Sequence, residues 1–257
     1  MDRLEDILAR REWLRRSRPF PHVVARGVFK PRFYARLCEE LGEVLARGLS
    51  ETADGERFSR NIANYDSYGI GFRAGDGGAL GVFLSPEWRD LMADCFGLQR
   101  TDYVFAGAHH HAVGSGDGFV HNDYNPVWFP VSSEGRIQVP DHQRCDYKTG
   151  EGQLSPAEKI RVVRGTAVIF FLLNGGWRPG DGGETGLYRS GRDPPGEPSV
   201  RVPPLDNSLL AFECSPDSYH AFISNRRATR TSVIMWTHRS LADAEQRFGV
   251  ERLEYWK

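Results

Sequence analysis

From residue 101 to residue 238 the chain is a succession of short β-type runs cut by glycine, proline and asparagine, and this texture restricts the fold more than any other feature. The runs "DYVFAGAHHHA", "GFVHND", "IRVVRGTAVIFFLLN", "TGLY", "SVRVPP", "SLLAFEC", "YHAFISN" and "RTSVIMWTH" each have the length and the β-branched and aromatic content of a strand. About eight strands behind a more helical N-terminal third imply an α+β fold with a jelly-roll or barrel core buttressed by helices. The stretch 130–160 is long for a loop within a compact domain, a length typical of functional lids. The tract "SGRDPPGEPS" reads as a loop between strands rather than a domain linker.

In the first hundred residues the hydrophobic period is helical. Leu4, Ile7, Leu8 and Leu14 predict an amphipathic helix over residues 2–16, with arginines and acids sharing its polar face. A second helix is expected from Pro31 to Arg47, with Phe33, Leu37, Leu41, Val44 and Leu45 inward and Gly48 just past its end. The third has clearer signals: Ser85 as N-cap, Pro86 at the first helical position, then Trp88, Leu91, Met92, Cys95 and Phe96 on one stripe before Gly97. Residues 241–257 form a C-terminal tail. The whole chain reads as one domain, since 257 residues with 40% hydrophobic content suffice for one substantial core.

Charge and cysteine usage narrow the function classes. A net charge of -1, from 33 basic and 34 acidic side chains, gives no bulk reason to expect nucleic-acid or membrane-surface binding. The partner is expected to be a small-molecule substrate recognised at a local site. Cys38, Cys95, Cys145 and Cys214 are scattered and form no CxxC pair, which argues against a zinc knuckle or disulfide framework and fits a cytoplasmic protein. The charged N-terminus does not resemble a secretory signal, and no apolar run approaches the roughly 20 residues of a membrane span.

The stretch "GFVHNDYNPVWF" raises a chemical question, because it sets His121 and Asp123 two apart in an otherwise strand-like run. On a strand, residues i and i+2 project to one side, so the imidazole and the carboxylate are expected to point together into the interior. Read alone the pair also suits an exposed His and Asp. A remote second imidazole would complete a 2-His-1-carboxylate triad, which holds iron(II) on one face and leaves the opposite positions open. His220 stands on a downstream β-type run, and Arg230 follows ten residues later on another. Arg230 would share a face with Ser232, Ile234 and Trp236, and a guanidinium among apolar residues requires an anionic partner. A diacid co-substrate would supply one.

These residues carry a family resemblance. "HND", "LNGGWRPGDGGETGLY" (173–188) and "SPDSYHAFISNRRATRTSVIMWTH" (215–238) resemble the non-haem iron(II), 2-oxoglutarate-dependent dioxygenases, especially the prolyl-4-hydroxylase-like branch. The likeness covers about residues 101–240. It implies a double-stranded β-helix of jelly-roll or cupin-like type, with His121, Asp123 and His220 as the catalytic iron ligands. It also implies that Arg230 binds the distal carboxylate of 2-oxoglutarate, with Ser232 as a hydrogen-bond helper. The expected cofactors are Fe(II), 2-oxoglutarate and O2. In the family, 2-oxoglutarate is oxidised to succinate and CO2 while an unactivated C–H bond is hydroxylated. Halogenating relatives replace the carboxylate ligand by Gly or Ala; Asp123 is retained here, which favours hydroxylation or a related desaturation or ring closure.

One departure concerns the co-substrate. The branch usually carries a tyrosine nine or ten residues before the HxD histidine, whereas here His111 occupies that place, as a substitute cofactor-binding residue unless another side chain takes the role. His109, His110 and His111 alternate faces in a strand and cannot all converge on a second metal. His142 and His238 are expected to be exposed or structural, and "GSGDG" lacks what a phosphate loop needs. Candidate substrate contacts are Tyr124, Asn125 and Trp128 at the mouth, although Trp128 and Phe129 would equally close the end of the barrel. Arg144, with Arg136 and Lys148, is either a recogniser of substrate carboxylate or phosphate or an ordinary loop charge, and "NIANYDSYGIGF" (61–72) is rich in polar side chains suited to small molecules. The leading expectation is a hydroxylase of a small metabolite, such as an amino acid or natural-product intermediate. The alternatives are a protein or peptidyl prolyl hydroxylase and a non-catalytic metal-binding jelly-roll module.

Overall fold

The strands alternate so strictly that one sheet serves two cores. The computed structural model describes residues 3–10, 13–50, 59–62, 65–73, 75, 77–132 and 135–253. In chain order these form α1 (Leu4–Ile7), β1 (Leu14–Arg16), β2 (His22–Arg26), α2 (Pro31–Ser50), β3 (Ser59–Ile62), β4 (Tyr65–Gly71), a 3-10 turn (Leu80–Leu84) and α3 (Pro86–Asp94). Then come β5 (Val104–His111), β6 (Pro126–Pro130), β7 (Lys159–Phe171), β8 (Thr185–Leu187), β9 (Val200–Val202), β10 (Ser208–Glu213), β11 (His220–Phe222), β12 (Arg230–Ser240), α4 (Leu241–Phe248) and a terminal 3-10 turn (Val250–Arg252). The large sheet runs β1-β2-β10-β7-β12-β5-β4-β3, with β6 also on β7, and the small sheet runs β11-β8-β9. Every strand pair is antiparallel.

On the outer face of the large sheet, Ala106, Ala108, Val168, Phe170, Leu209, Ala211, Val233 and Met235 pack against Phe33, Leu37 and Leu41 of α2 and Trp88 and Met92 of α3. On the inner face, Ala167, Ile169, Phe171, Leu210, Phe212, Ile234 and Trp236 meet Leu187 and Val202 of the small sheet. A strand buried on both sides reads as a continuous apolar run, which is why "TAVIFF" shows no polar alternation. Each fully buried Phe or Leu of this kind contributes on the order of 1.5–3 kcal/mol. The exception lies at one end of the inner face, where β5 contributes His109 and His111 and β12 contributes Arg230 and Ser232, paired Ser232 to His109 and Arg230 to His111.

The helix expected over 2–16 is not formed. Among the described residues only Leu4–Ile7 is helical; the chain leaves at Leu8 with extended dihedrals, and Leu14–Arg16 is an edge strand with Leu14 54% exposed. Residues 2, 11 and 12 lie outside the described residues. Backbone pairing explains the difference: Ala9 N–H donates to Val28 O at 2.9 Å and Lys30 N–H to Ile7 O at 2.8 Å, so sheet-type partners replace the next helical turn. The second helix runs on through Gly48 to Ser50 instead of stopping at Arg47. The first hundred residues are therefore not purely helical support, because β1 to β4 extend both edges of the large sheet. The expected run "GFVHND" is not a strand, and the tail beyond β12 begins with α4.

The third helix starts as its sequence requires, with the Ser85 side chain accepting from Trp88 N–H at 3.2 Å and Pro86 at its first turn. Replacing the cap, Ser85→Ala, is expected to cost about 1 kcal/mol. Urea denaturation should show this as a lowered midpoint with unchanged slope.

Candidate active site

His121 and Asp123 converge, but not by strand alternation. His121 forms a single antiparallel bridge with His220, its N–H donating to His220 O at 3.1 Å and receiving the return bond at 2.8 Å. The backbone then turns through Asp123 at φ 59°, in the left-handed region that Asp and Asn tolerate better than other side chains. Asn122 fixes the turn: its Oδ1 accepts from Tyr124 N–H at 3.0 Å and its Nδ2 donates to Pro216 O at 3.2 Å. That turn brings the carboxylate back to the imidazole two residues earlier.

Among the described residues, His121, Asp123 and His220 form the one group of metal-ligand type, with one donor atom from each lying within 4.8 Å of the others. His121 Nε2 is 3.6 Å from Asp123 Oδ1, and His220 Nε2 is 3.5 Å from Asp123 Oδ2. Both Nδ1 atoms face carbonyls, Phe119 O at 2.9 Å and Ser218 O at 3.1 Å. A carbonyl only accepts, so Nδ1 carries the proton in each ring and the Nε2 lone pairs aim at the common centre. Burial pushes His121 down to about 4, with His220 adding repulsion, so the ring is neutral at physiological pH. Burial opposes ionisation of Asp123, yet Arg164 and the two histidines outweigh it and hold the carboxyl well below the usual carboxylate range. Two imidazoles and one carboxylate suit iron(II) with open coordination positions, and among the described residues the set lacks the fourth protein donor of a closed structural zinc site.

Beside this cluster the polar end of the inner face forms a second subsite. Arg230 is 2% exposed; its Nη2 donates to Thr185 Oγ1 at 3.3 Å, and its guanidinium lies 5.2 Å from the Phe171 ring and 5.5 Å from the Phe222 ring. Ser232 Oγ and His109 Nδ1 are buried with no hydrogen-bond partner among the described residues. His111 stacks on Phe222 with ring centroids 3.7 Å apart. Burial first, then the charge of Arg230, pushes His109 down to about 4, so it too stands neutral. A guanidinium, a hydroxyl and imidazole nitrogens gathered at one end of the sheet are the groups a diacid needs.

The expected substrate contacts fare differently. Tyr124 is fully buried on the far side of the turn, packed with Val163 and Ala244, and its hydroxyl donates to Ala244 O at 3.1 Å; it is a core residue, because the left-handed turn reverses the chain before it. Trp128 sits on the outer side of β6, under the charges of Lys159 and Arg161, while Val127 and Phe129 face inward. The Arg144 guanidinium pairs with exposed Glu158 at 3.3 Å and belongs to the surface of the insert. Asn125 holds the turn through its backbone, donating to Asp123 O at 2.9 Å and accepting from Arg164 N–H at 3.3 Å. Residues 63 and 64 of the polar segment at 61–72 lie outside the described residues.

Several participants were not singled out from the sequence. Arg164 on β7 donates through Nη1 to Asp123 Oδ1, and Trp236 Nε1 donates to Oδ2 at 2.9 Å. Tyr147, from the insert between β6 and β7, reaches Arg164 and His238. The second arginine of "IRVVRGTAVIFF", at the start of its buried apolar run, was the available signal for Arg164, since a charge in a doubly buried strand demands a partner. His238 is not exposed: its Nδ1 donates to Tyr103 O at 2.9 Å and its Nε2 accepts from the Tyr147 hydroxyl at 2.9 Å.

Residues 142–238 match the family model of the 2OG-Fe(II) oxygenase superfamily. That segment of the chain is thus similar to part of the 2OG-Fe(II) oxygenase superfamily's domain. The matched segment includes His220, Arg230, Arg164 and Trp236 and begins after His121 and Asp123. Among solved structures, a prolyl-4-hydroxylase from Pseudomonas putida is similar at 14% identity and TM-score 0.53, covering 85% of this chain and 92% of that one. A prolyl hydroxylase from Trichoplax adhaerens, solved with a hypoxia inducible factor oxygen degradation domain peptide fragment, is similar at 15% identity and TM-score 0.53, covering 88% and 86%. No curated protein matches the chain. At these identities the structural likeness describes fold, and it is the α+β jelly roll expected for a 2-oxoglutarate-dependent dioxygenase. The superfamily uses Fe(II), 2-oxoglutarate and O2, and the His-Asp-His cluster suits that metal.

Burial pushes His238 down to about 3, well below its ordinary 6.5. The unfolded chain therefore takes up a proton that the folded one refuses, so stability falls as pH drops below about 6.5. Between about pH 7.5 and about pH 5 this histidine should cost about 2 kcal/mol. His238→Gln should lower stability at neutral pH yet lose less of it on acidification, as read from denaturation midpoints along that range.

Proposed function

We propose that the chain hydroxylates an unactivated C–H bond of a small metabolite, such as an amino acid or natural-product intermediate, in a 2-oxoglutarate- and O2-dependent reaction. His121, Asp123 and His220 would hold iron(II), and the convergence of their donor atoms within 4.8 Å is the observation that carries the reading. Bound iron supplies the O2 chemistry by which 2-oxoglutarate is converted to succinate and CO2. Everything else is for the protein to arrange. Arg230 would pair with the distal carboxylate of 2-oxoglutarate, with Ser232 hydrogen-bonded beside it and His111 in the place where relatives of the branch carry a tyrosine. Support comes from the burial of Arg230 among Phe171 and Phe222 and from the unpartnered hydroxyl of Ser232. Retention of Asp123 favours oxygenation over halogenation.

The choice of a small substrate is favoured by the insert of residues 131–158. It packs Tyr147 5.5 Å from Phe105, which in turn lies 5.2 Å from Trp236, and His142 closes on both Phe105 and Tyr147. A packed aromatic insert at this end of the sheet would leave less room beside the site for an extended peptide. His121 keeps 31% of its side chain exposed, and Phe119, 54% exposed, lies beside it with ring centroids 4.8 Å apart; this is the open side of the site. One core cluster joins residues from Ile7 to Met235, which favours a single working unit. The four free cysteines fit a cytoplasmic setting, and no helix among the described residues is long and apolar enough to cross a membrane. A peptidyl hydroxylase is the second reading, favoured by the fold shared with prolyl hydroxylases.

With Fe(II) and O2 the protein should convert 2-oxoglutarate to succinate in the presence of its substrate, and His121→Ala should abolish this. Arg230→Met should raise the KM for 2-oxoglutarate roughly 10- to 100-fold, the loss of one charge-assisted hydrogen-bonded contact. Succinate formation is scored across a metabolite library and a proline-peptide library in parallel. Turnover with peptides alone would replace the metabolite reading by the peptidyl one, and tight metal binding without 2-oxoglutarate consumption would leave only a binding module.

A further inference from the structure

We infer that Arg164 and Trp236 are positioning residues that clamp both oxygens of Asp123 from behind, fixing the carboxylate for the metal, and that Tyr147 of the insert holds Arg164 in that pose. The inference rests on the proposed iron site and deepens it.

A bulge aims the arginine. On β7 the inward residues are Ala167, Ile169 and Phe171, so strict alternation would point Gly165 inward and Arg164 outward towards α3. The pairing with β12 is irregular at this point: Trp236 pairs with Ala167, but His238 pairs with Arg164, so two steps on β12 match three on β7. The extra residue reverses the alternation and turns Arg164 into the interior, which is how bulges re-aim side chains beside active sites. Gly165 lies within this irregular stretch, and its carbonyl accepts from Cys214 N–H at 2.7 Å.

Once inside, the guanidinium is fixed on three sides. Nη1 donates to Asp123 Oδ1, the plane lies 4.1 Å from the centroid of the Trp236 ring, and Nε donates to the Tyr147 hydroxyl at 3.4 Å. Trp236 Nε1 takes Oδ2 at 2.9 Å. Each carboxylate oxygen therefore meets one donor and one imidazole: Arg164 and His121 (3.6 Å) at Oδ1, Trp236 and His220 (3.5 Å) at Oδ2. The Tyr147 hydroxyl passes its own proton to His238 Nε2, and His238 Nδ1 donates to Tyr103 O, so the row of donors runs from backbone carbonyl to carboxylate with each group's role fixed. Asp123 itself stands in a left-handed backbone conformation, and a carboxylate on a strained turn depends on such outer partners for its direction.

Positioning and simple charge compensation predict opposite signs. Removing a cation beside a metal site strengthens metal binding if only charge matters, because a like charge is lost. If Arg164 and Trp236 orient the ligand, their removal weakens it, by roughly 10- to 100-fold for such outer-shell partners. The test is an anaerobic titration of the full chain with Co(II), followed by its visible d–d absorption, for wild type, Arg164→Met, Arg164→Lys, Trp236→Phe and Tyr147→Phe, with His121→Ala as the control for the site and folding checked by circular dichroism. Weaker Co(II) binding and an altered band in Arg164→Met and Trp236→Phe, with part of the affinity recovered in Arg164→Lys and a smaller loss in Tyr147→Phe, is the expected result. Trp236→Phe keeps an aromatic face under Arg164 while removing the N–H donor and part of the indole, so with its fold verified it gives a second reading if Arg164→Met does not fold. Co(II) binding in the variants that equals or exceeds wild type would overturn the clamp and leave the iron site standing. Absence of His121-dependent Co(II) binding in wild type would overturn the iron site, and the clamp with it.

Discussion

A charged carboxylate 4% exposed inside a β-sandwich is the constraint around which this molecule is arranged. Left without partners, Asp123 would be protonated or would destabilise the fold by several kcal/mol. Its surroundings answer that demand twice. Arg164 and Trp236 satisfy it from one side, and the other side is left to His121 and His220, whose protons are turned away towards backbone carbonyls. The folded chain thus presents one carboxylate oxygen and two imidazole Nε2 atoms to one another within 4.8 Å.

The two-faced sheet is what makes such a polar cluster affordable. Alternation along β7, β10 and β12 commits one set of apolar side chains to the helices and another to the small sheet, so the helix-side core lies on the face opposite the polar cluster. The cavity end of the inner face is then free to carry Arg230, Ser232, His109 and His111. The bulge opposite Trp236 and the left-handed turn at Asp123 both break the regular pattern, and both direct a charged side chain to the same spot. Local rules fail where function is built, as expected when site geometry competes with regular structure.

The insert between β6 and β7 is more than a cover. Val127, Phe129 and Val162 form a small core with its Tyr147, and that tyrosine joins the hydrogen-bonded row that ends on Asp123. The segment therefore packs on β6 and β7 and, through Arg164, reaches the Asp123 carboxylate. Arg144, by contrast, spends its charge on Glu158 at the surface.

Much of the fold and the centre of the site could be read from the residues: strand-length runs, the capped third helix, the HxD pair, and the later histidine and arginine. These were legible because they depend on local period and residue type. The short first helix, the strands β1 to β4 and the burial of Tyr124 were not, because backbone pairing and chain reversal decided them and leave no periodic trace. Even the correct convergence of His121 and Asp123 was expected for the wrong reason, since a turn rather than a strand brings them together. The sequence by itself determined which chemical groups are available and roughly which strands carry them. Only the tertiary structure decided that Arg164 turns inward and that Trp236 and Tyr147 close on the same carboxylate, because one extra residue in a ladder reverses a side chain's direction without altering composition or hydrophobic pattern.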